Sequence, residues 1–416
     1  MTQDRTLLFI GATTRALRTA KEFGLGVVLL QHPNKFEAEQ AALADVTFVA
    51  DYTDWSAVRP LAQVAREHWG VTAALALTDP ALDALGRVND LFGLGGTGYE
   101  VCRRFRDKYE MRRRLAAHGA PTIGAEPLES REDLTSFGDR YGYPFIVKPT
   151  DAAAGIGVFR VDGPDGPDGV DAAWRRVLGL RETGVDRGCG YLFPLTGFIM
   201  EEYVDGPEFS VEAFSFSGRH VVVAVTEKLT SDAHFAELGH TVPARITSAE
   251  EDLVAAAATG FLDAMGLTDG PSHTEIRIGP RGPIVIESHN RIGGDRITDL
   301  VEAVYGIDLI AYAVGHPFGL VEEPAGRPTP RGGAAVRFLD AGPGRVTAVD
   351  GLDELRSRPD VIAADVFVKV GDVVGPVLDN NDRLGLVAAT GPDGDAAVKL
   401  CEELLENTLN VQVVNP

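Results

Sequence analysis

The chain has 416 residues and a formal net charge of −22 at pH 7, a length that suggests roughly two to four structural units. The acidic balance argues against nucleic acid as a partner, since phosphate contacts need a basic face, although a local cluster can still hold a nucleotide. A 44% hydrophobic and 24% charged composition suits a globular chain, and no apolar run approaches the roughly 20 residues needed to cross a bilayer.

Met1 to Arg5 runs straight into a strand pattern without a signal-peptide layout, so the expected compartment is the cytoplasm. Cys102, Cys189 and Cys401 are far apart, fall in no ligand-like spacing and read as free thiols. Thr6 to Ile10, Val27 to Leu30, Val46 to Ala50 and Ala73 to Leu77 read as strands, with a helix from Arg15 to Phe23. Such alternation implies a parallel sheet. Gly11-Ala12-Thr13 lacks the G-x-G-x-x-G spacing, which counts against a nicotinamide cofactor.

The glycine-rich run Gly93 to Gly98 reads as a hinge, followed by one helix from about Arg103 to His118. A new unit opens near Gly119, with a helix from Arg131 to Tyr141. Tyr143 to Pro149 is an expected strand, and Gly155 to Val161 its hairpin partner. Gly163 to Gly169 is a loop of turn residues. Further strands are expected at Phe198–Glu202, Glu208–Phe216, His220–Thr226 and His273–Ile278, with a helix over Glu250–Met265. Pro324 to Pro330 reads as a linker to a small α+β unit that closes with a helix near Ala396–Leu405.

The segment Pro283 to Asp295 is the most informative. A β-rich run delivers Glu287, then an amide, then Arg291, and ends in Gly293-Gly294-Asp295. Glu275 sits in the preceding strand pattern. Two carboxylates on neighbouring strands, with an arginine for an anion, suit Mg²⁺–triphosphate chemistry. Lys148 ends an apolar strand, where a charge is costly unless it meets an anion. Gly155 and Gly157 follow in a segment, Asp151 to Gly157, whose backbone N–H groups can approach phosphate oxygens closely.

Taken in order, Lys148, the segment Glu201 to Glu208, Glu275, and Glu287 with Arg291 resemble the motifs of the ATP-grasp superfamily of carboxylate–amine ligases. The resemblance implies an α/β and α+β multidomain chain: an N-terminal parallel-sheet α/β domain (1–100), a central and lid domain (101–205), a lobe carrying the metal site (206–328) and a small C-terminal subdomain (329–416). It further implies that Lys108 and Lys148 contact phosphates. Glu201 would accept from the adenine amino group, Glu202 and Val204 would offer backbone partners, and Glu208 would hold the ribose hydroxyls. Lys228 would present a cation to the phosphates. Glu275 and Glu287 would hold Mg²⁺, with Mn²⁺ as an alternative. The family usually writes Glu-x-Asn-x-Arg; here His289 takes the middle place and Asn290 comes one later, so the third ligand is Asn290 or His289.

Within the superfamily the chain looks most like the L-amino acid ligases, which join two amino acids into a dipeptide. Glu237 and His240 resemble their Glu-x-x-His element beside the reacting groups, and Arg291 would steady the acyl phosphate. Gly294 and Asp295 fall where these enzymes shape a substrate pocket, and an acidic residue there suggests a polar or cationic substrate. Amino acids or peptides are then the expected small-molecule partners, and a homodimer is compatible with the resemblance. The alternatives are a biotin-carboxylase-like or purine-pathway ligase using bicarbonate or a ribonucleotide, and a nucleotide-binding module without activity. Val225 to Leu229 lacks the arginine-rich motif of the carboxylases, and retention of the charged residues argues against decay.

Overall fold

A computed structural model describes residues 5–185, 188, 190–231 and 234–414; Cys189 and the segment Met1–Asp4 lie outside the described residues. The N-terminal strands Thr6–Ile10, Gly26–Gln31, Val46–Val49 and Ala73–Leu75 form one parallel sheet, with Thr6–Ile10 between Gly26–Gln31 and Ala73–Leu75. Thr6–Ile10 and Gly26–Gln31 are buried along their whole length, which explains their continuous apolar runs: helices cover both faces of such a sheet. The chain leaves the strand Ala73–Leu75 into the turn Asp79–Ala81. In open parallel sheets the region beyond the carboxyl ends of the strands is where ligands bind.

The helix expected over Arg103–His118 is two helices, Tyr99–Arg106 and Lys108–Ala117. Asp107 separates them in an extended conformation, and its carboxylate accepts from the Tyr109 and Glu110 amides at 3.0 Å. An N-cap aspartate can start a new helix without disturbing the apolar periodicity, so the break is invisible to pattern reading. Lys108 thereby becomes the first residue of the second helix, and its amide donates to the Thr150 carbonyl at 3.0 Å.

A four-stranded antiparallel sheet follows, in the order Ala125–Pro127, Phe198–Glu202, Phe145–Pro149, Phe159–Val161. The hairpin partner expected over Gly155–Val161 is a strand only at Phe159–Val161. Ala154, Gly155 and Gly157 have φ of 59°, 71° and 72°, a left-handed conformation that a continuing strand does not accommodate.

The largest sheet has eight strands. Its order is Gly282–His289, Gly270–Gly279, Glu208–Phe216, Arg219–Thr230, Glu237–Val242, Gly333–Leu339, Gly385–Gly391 and Val361–Val366, antiparallel throughout. It therefore runs without interruption across the proline-rich linker, from the acidic strands into the C-terminal segment. The helix Ser248–Met265 packs on it through Val254, Ala258, Phe261 and Leu262. The expected closing helix is Gly394–Asn407, but the last described element is a strand, Asn410–Val414, paired with Gly344–Asp350. Among the described residues no helix is long and apolar enough to cross a membrane.

Cys102 and Cys401 are free and fully buried, and burial pushes both thiols up to about 12. Because the thiolate is the reactive species, neither should alkylate in the folded protein. Iodoacetamide at pH 8 with peptide-level mass spectrometry should leave both unmodified natively and label both in denaturant. Native labelling at the rate of a free thiol would contradict their burial.

Candidate active site

The N-terminal, four-stranded and eight-stranded sheets converge on a cleft with a cavity volume of about 290 Å³. Its centre is set by the ladder between Gly270–Gly279 and Gly282–His289, in which Glu275 and Glu287 are directly opposite each other. Like charges in that relation repel, and each carboxylate has its own cation. Lys108 lies 3.1 Å from Glu287, and Lys228 donates to Glu275 at 2.5 Å. Burial opposes ionisation of both glutamates. Lys228 nevertheless holds Glu275, and Lys108 holds Glu287, below the usual carboxylate range, with help from His273 and His289. Two ionised carboxylates side by side at the cleft floor are a donor set that fits a hard divalent cation.

Lys148 and Glu201 are both buried, 2.6 Å apart. Arg112 grips the same carboxylate from the helix Lys108–Ala117, at 2.7 and 3.2 Å, and donates to the carbonyls of Val285 and Ile286 at 2.5 and 2.7 Å. Burial pulls the Lys148 ammonium below its ordinary pKa, with Glu201 opposing. Glu201, expected to accept from an adenine, lines the cleft with both its oxygens partnered by Arg112 and Lys148. Its structural effect is to orient Lys148. Arg112 lies one helical turn beyond Lys108, on the same face; that spacing was the signal that could have found it.

Lys108 also donates to the Ala152 carbonyl at 2.5 Å, tying it to the segment Asp151–Gly157. Gly155 lines the cleft with open space at the position a Cβ would take. Gly157 does not line it; a Cβ there would meet Pro149 at 2.9 Å. Glu202 and Val204 line the wall, beside Ile123, Ile146 and Ile286. The Glu202 carboxylate accepts from the Gly124 amide at 2.5 Å, and the Val204 carbonyl accepts from Arg277 at 3.2 Å. Glu208 is paired with Lys228 at 2.9 Å and Arg277 at 2.8 Å.

Lys228 is the most heavily neutralised group in the cleft. It meets Glu208, Glu237 and Glu275 at 2.9, 2.6 and 2.5 Å. Burial alone would lower its pKa, but these three carboxylates raise it well above the ordinary value.

Arg291 is held by a residue that pattern reading missed. Asp79, from the N-terminal unit, accepts from Arg291 Nε at 2.7 Å and from His289 Nδ1 at 2.7 Å. Burial disfavours its charge, yet Arg291 and His289 keep its carboxyl well below the usual range. Its position just beyond a parallel strand was the available clue.

The assignment of Asn290 as a cation ligand is corrected. Side chains alternate along a strand, so His289 shares the cleft face with Glu287, and its Nε2 lies 3.2 Å from Glu287 Oε1. Asn290 is buried away from the cleft and donates to Cys102 Sγ at 3.4 Å.

At the far end, Glu237, Gly294 and Asp295 line the cleft, whereas His240 stands fully buried behind them. His240 Nε2 is 3.7 Å from both Glu237 and Asp295. Burial, with Asp295 adding and Lys228 opposing, raises the Glu237 pKa; Asp295 is held well below the usual range despite burial, by His240 and Arg383. Arg383 grips Asp295 at 2.6 and 2.9 Å and lies 3.7 Å over the Phe338 ring. Asn380 donates to Glu237 at 3.1 Å. Both come from the C-terminal segment, in a run of turn residues that carries no local sign of a site. Asp295 is therefore not an unmatched acidic group.

An ATP-grasp domain matches residues 141–299, and L-amino acid ligase C-terminal domain 2 matches residues 337–413. The alanine–anticapsin ligase of Bacillus subtilis strain 168 is 26% identical over 257 residues, 58% of this chain and 53% of that protein. An L-arginine-specific L-amino acid ligase of Bacillus subtilis is 22% identical over 344 residues, 79% of this chain and 77% of that protein. The chain thus spans about half the length of the alanine–anticapsin ligases it matches. The crystal structure of L-amino acid ligase from Bacillus licheniformis superposes with a TM-score of 0.83 at 22% identity, covering 100% of both chains, a likeness of fold. The chain thus carries an ATP-grasp domain and an L-amino acid ligase C-terminal domain, on a fold similar to that of the L-amino acid ligase from Bacillus licheniformis.

Proposed function

We propose that the chain is an ATP-dependent ligase that joins the carboxylate of one amino acid to the amine of a second. The observation that carries this reading is the gathering of Lys108, Lys148, Glu275, Glu287 and Arg291 along one cleft, with Glu237 and Asp295 at its other end. In the reaction, a carboxylate oxygen attacks the γ-phosphorus of ATP and ADP leaves. The amine nitrogen then attacks the acyl carbon, the bond to phosphate breaks, and the amine gives up a proton.

Lys148 and Lys108 serve as the phosphate contacts, Lys148 oriented by Glu201 and Arg112. The apolar wall of Ile123, Ile146, Val204 and Ile286 suits a purine ring. Glu208 is placed for the ribose hydroxyls, and Lys228, neutralised by three carboxylates, balances charge between the two ends of the cleft. Glu275 and Glu287 would hold Mg²⁺, which when bound offsets triphosphate charge. Arg291, fixed by Asp79, stabilises the acyl phosphate and the tetrahedral adduct that follows it. The segment Asp151–Gly157 covers the phosphates with backbone amides and keeps water from the mixed anhydride. Glu237 takes the ammonium of an amino acid, and His240, behind it, orients Glu237 and Asp295.

Incubation with ATP, Mg²⁺ and pooled amino acids should release phosphate only when suitable amino acids are present, with a dipeptide mass among the products. Phosphate release stimulated by bicarbonate and not by amino acids would refute the reading. Arg291→Ala should lower kcat by about 10²–10³-fold, as for loss of one preorganised donor to a developing oxyanion, while nucleotide affinity is largely kept. An equal loss of ATP binding would place Arg291 on the nucleotide instead. Asp295→Ala leaves Arg383 without its counter-charge, so amino acid preference should move toward acidic side chains; an unchanged preference profile would separate Asp295 from the substrate pocket.

A further inference from the structure

The cations that line the cleft are matched by protein carboxylates, with one exception. Lys108, Lys148, Lys228, Arg277 and Arg291 each lie within 3.1 Å of a carboxylate. Lys35 lines the same cleft, yet among the described residues its ammonium meets no acceptor. It stands exposed at the end of the short turn Pro33–Lys35.

That turn is anchored. It follows the carboxyl end of the strand Gly26–Gln31, as the turn Asp79–Ala81 follows the strand Ala73–Leu75. Both strands run parallel to Thr6–Ile10, so Lys35 and Asp79 rise from one edge of the N-terminal sheet, and Asp79 holds Arg291 at 2.7 Å. The Lys35 amide donates to the His32 carbonyl at 2.9 Å, and the Asn34 amide to His32 Nδ1 at 3.2 Å. The His32 ring is buried against Tyr52 and Tyr191, with centroids 5.5 and 5.4 Å away. Tyr191 belongs to the turn Gly190–Leu192, whose Leu192 lines the cleft beside Phe193. A cation carried on a backbone already fixed in this way loses little freedom when a ligand meets it.

In the ligation each amino acid brings a carboxylate. One becomes the acyl phosphate, where Arg291 acts. The other belongs to the amine donor, takes no part in bond making, and persists as the C-terminus of the product. Acidic side chains crowd the cleft and repel it, and every other lysine or arginine there already has a carboxylate of the protein beside it. Resting on the ligase reading above, we propose that Lys35 binds the α-carboxylate of the amine-donating amino acid and so orients its nitrogen toward the acyl phosphate. A flexible stem with a compact ammonium suits a carboxylate that arrives from solvent, and the hydrogen bond is charged on both sides.

The test uses the whole chain with ATP and Mg²⁺, and lets pooled L-amino acids and their α-amides compete as amine donors in one equimolar mixture. Mass spectrometry with fragmentation reads the ratio of dipeptides to dipeptide amides. Lys35→Met should lower that ratio about tenfold, the size expected for one lost hydrogen bond to a charged group, and Lys35→Arg should recover most of it. Lys35 is exposed, so both variants should fold. An unchanged ratio in Lys35→Met overturns the inference. So does a fall confined to products with aspartate or glutamate as amine donor, which would put a side-chain carboxylate on Lys35. Loss of β,γ-methylene-ATP affinity by calorimetry overturns it as well, by placing Lys35 on the triphosphate. Absence of any peptide product from the unaltered protein, with either kind of amine donor, overturns the ligase reading and this inference with it.

Discussion

Two carboxylates facing each other across one antiparallel ladder are the constraint around which the rest of the site is arranged. Glu275 and Glu287 are Cα partners, and their mutual repulsion has to be offset by groups from elsewhere. The cations come from opposite sides: Lys108 from the start of a helix, Lys228 from a strand two places along the same sheet. His273 and His289 complete the surround. Every one of these charges is in turn matched, because an uncompensated charge away from water is expensive. Lys228 meets three carboxylates, and the His289 ring is hydrogen-bonded to Asp79.

That demand for matching makes the cleft a joint product of all parts of the chain. The N-terminal sheet contributes Asp79, which holds His289 and Arg291 together. The helix Lys108–Ala117 contributes Lys108 and Arg112, the second of which fixes Glu201 and through it Lys148. The C-terminal segment contributes Arg383 and Asn380, which close the end carrying Asp295 and Glu237. Continuity of the eight-stranded sheet through Gly333–Leu339 gives that last contribution a firm base. A substitution in one unit therefore reaches groups in another by direct hydrogen bonds.

Much of this was legible in the chain itself. The buried strands of the N-terminal unit, the helix Arg131–Tyr141 and the strands Phe198–Glu202 and Glu208–Phe216 follow from apolar periodicity and turn residues. Lys148, Glu275, Glu287 and Arg291 stood out because charged groups at the ends of apolar strands call for an explanation. What was not legible had separate causes. Asn290 lies one residue past the end of the strand at His289 and does not share the cleft face with Glu287 and His289. The pairing of Glu201 with Arg112, distant in sequence, was not visible in the motif. The break at Asp107 was hidden because a capping carboxylate leaves the apolar period intact.

The sequence alone determined which residue types stand on which strands, since alternation, glycine placement and the cost of burying charge act locally. It therefore determined the parallel N-terminal sheet and the acidic character of the strand pair, whereas the wider fold class rested on the order of motifs that resemble the ATP-grasp ligases. Only the tertiary structure decided which charges neutralise one another. Asp79 with Arg291, Arg112 with Glu201 and Arg383 with Asp295 are pairs far apart in the chain, and no local pattern encodes them. Their partnership arises when separate sheets close on one cleft and exclude the water that would otherwise solvate each charge.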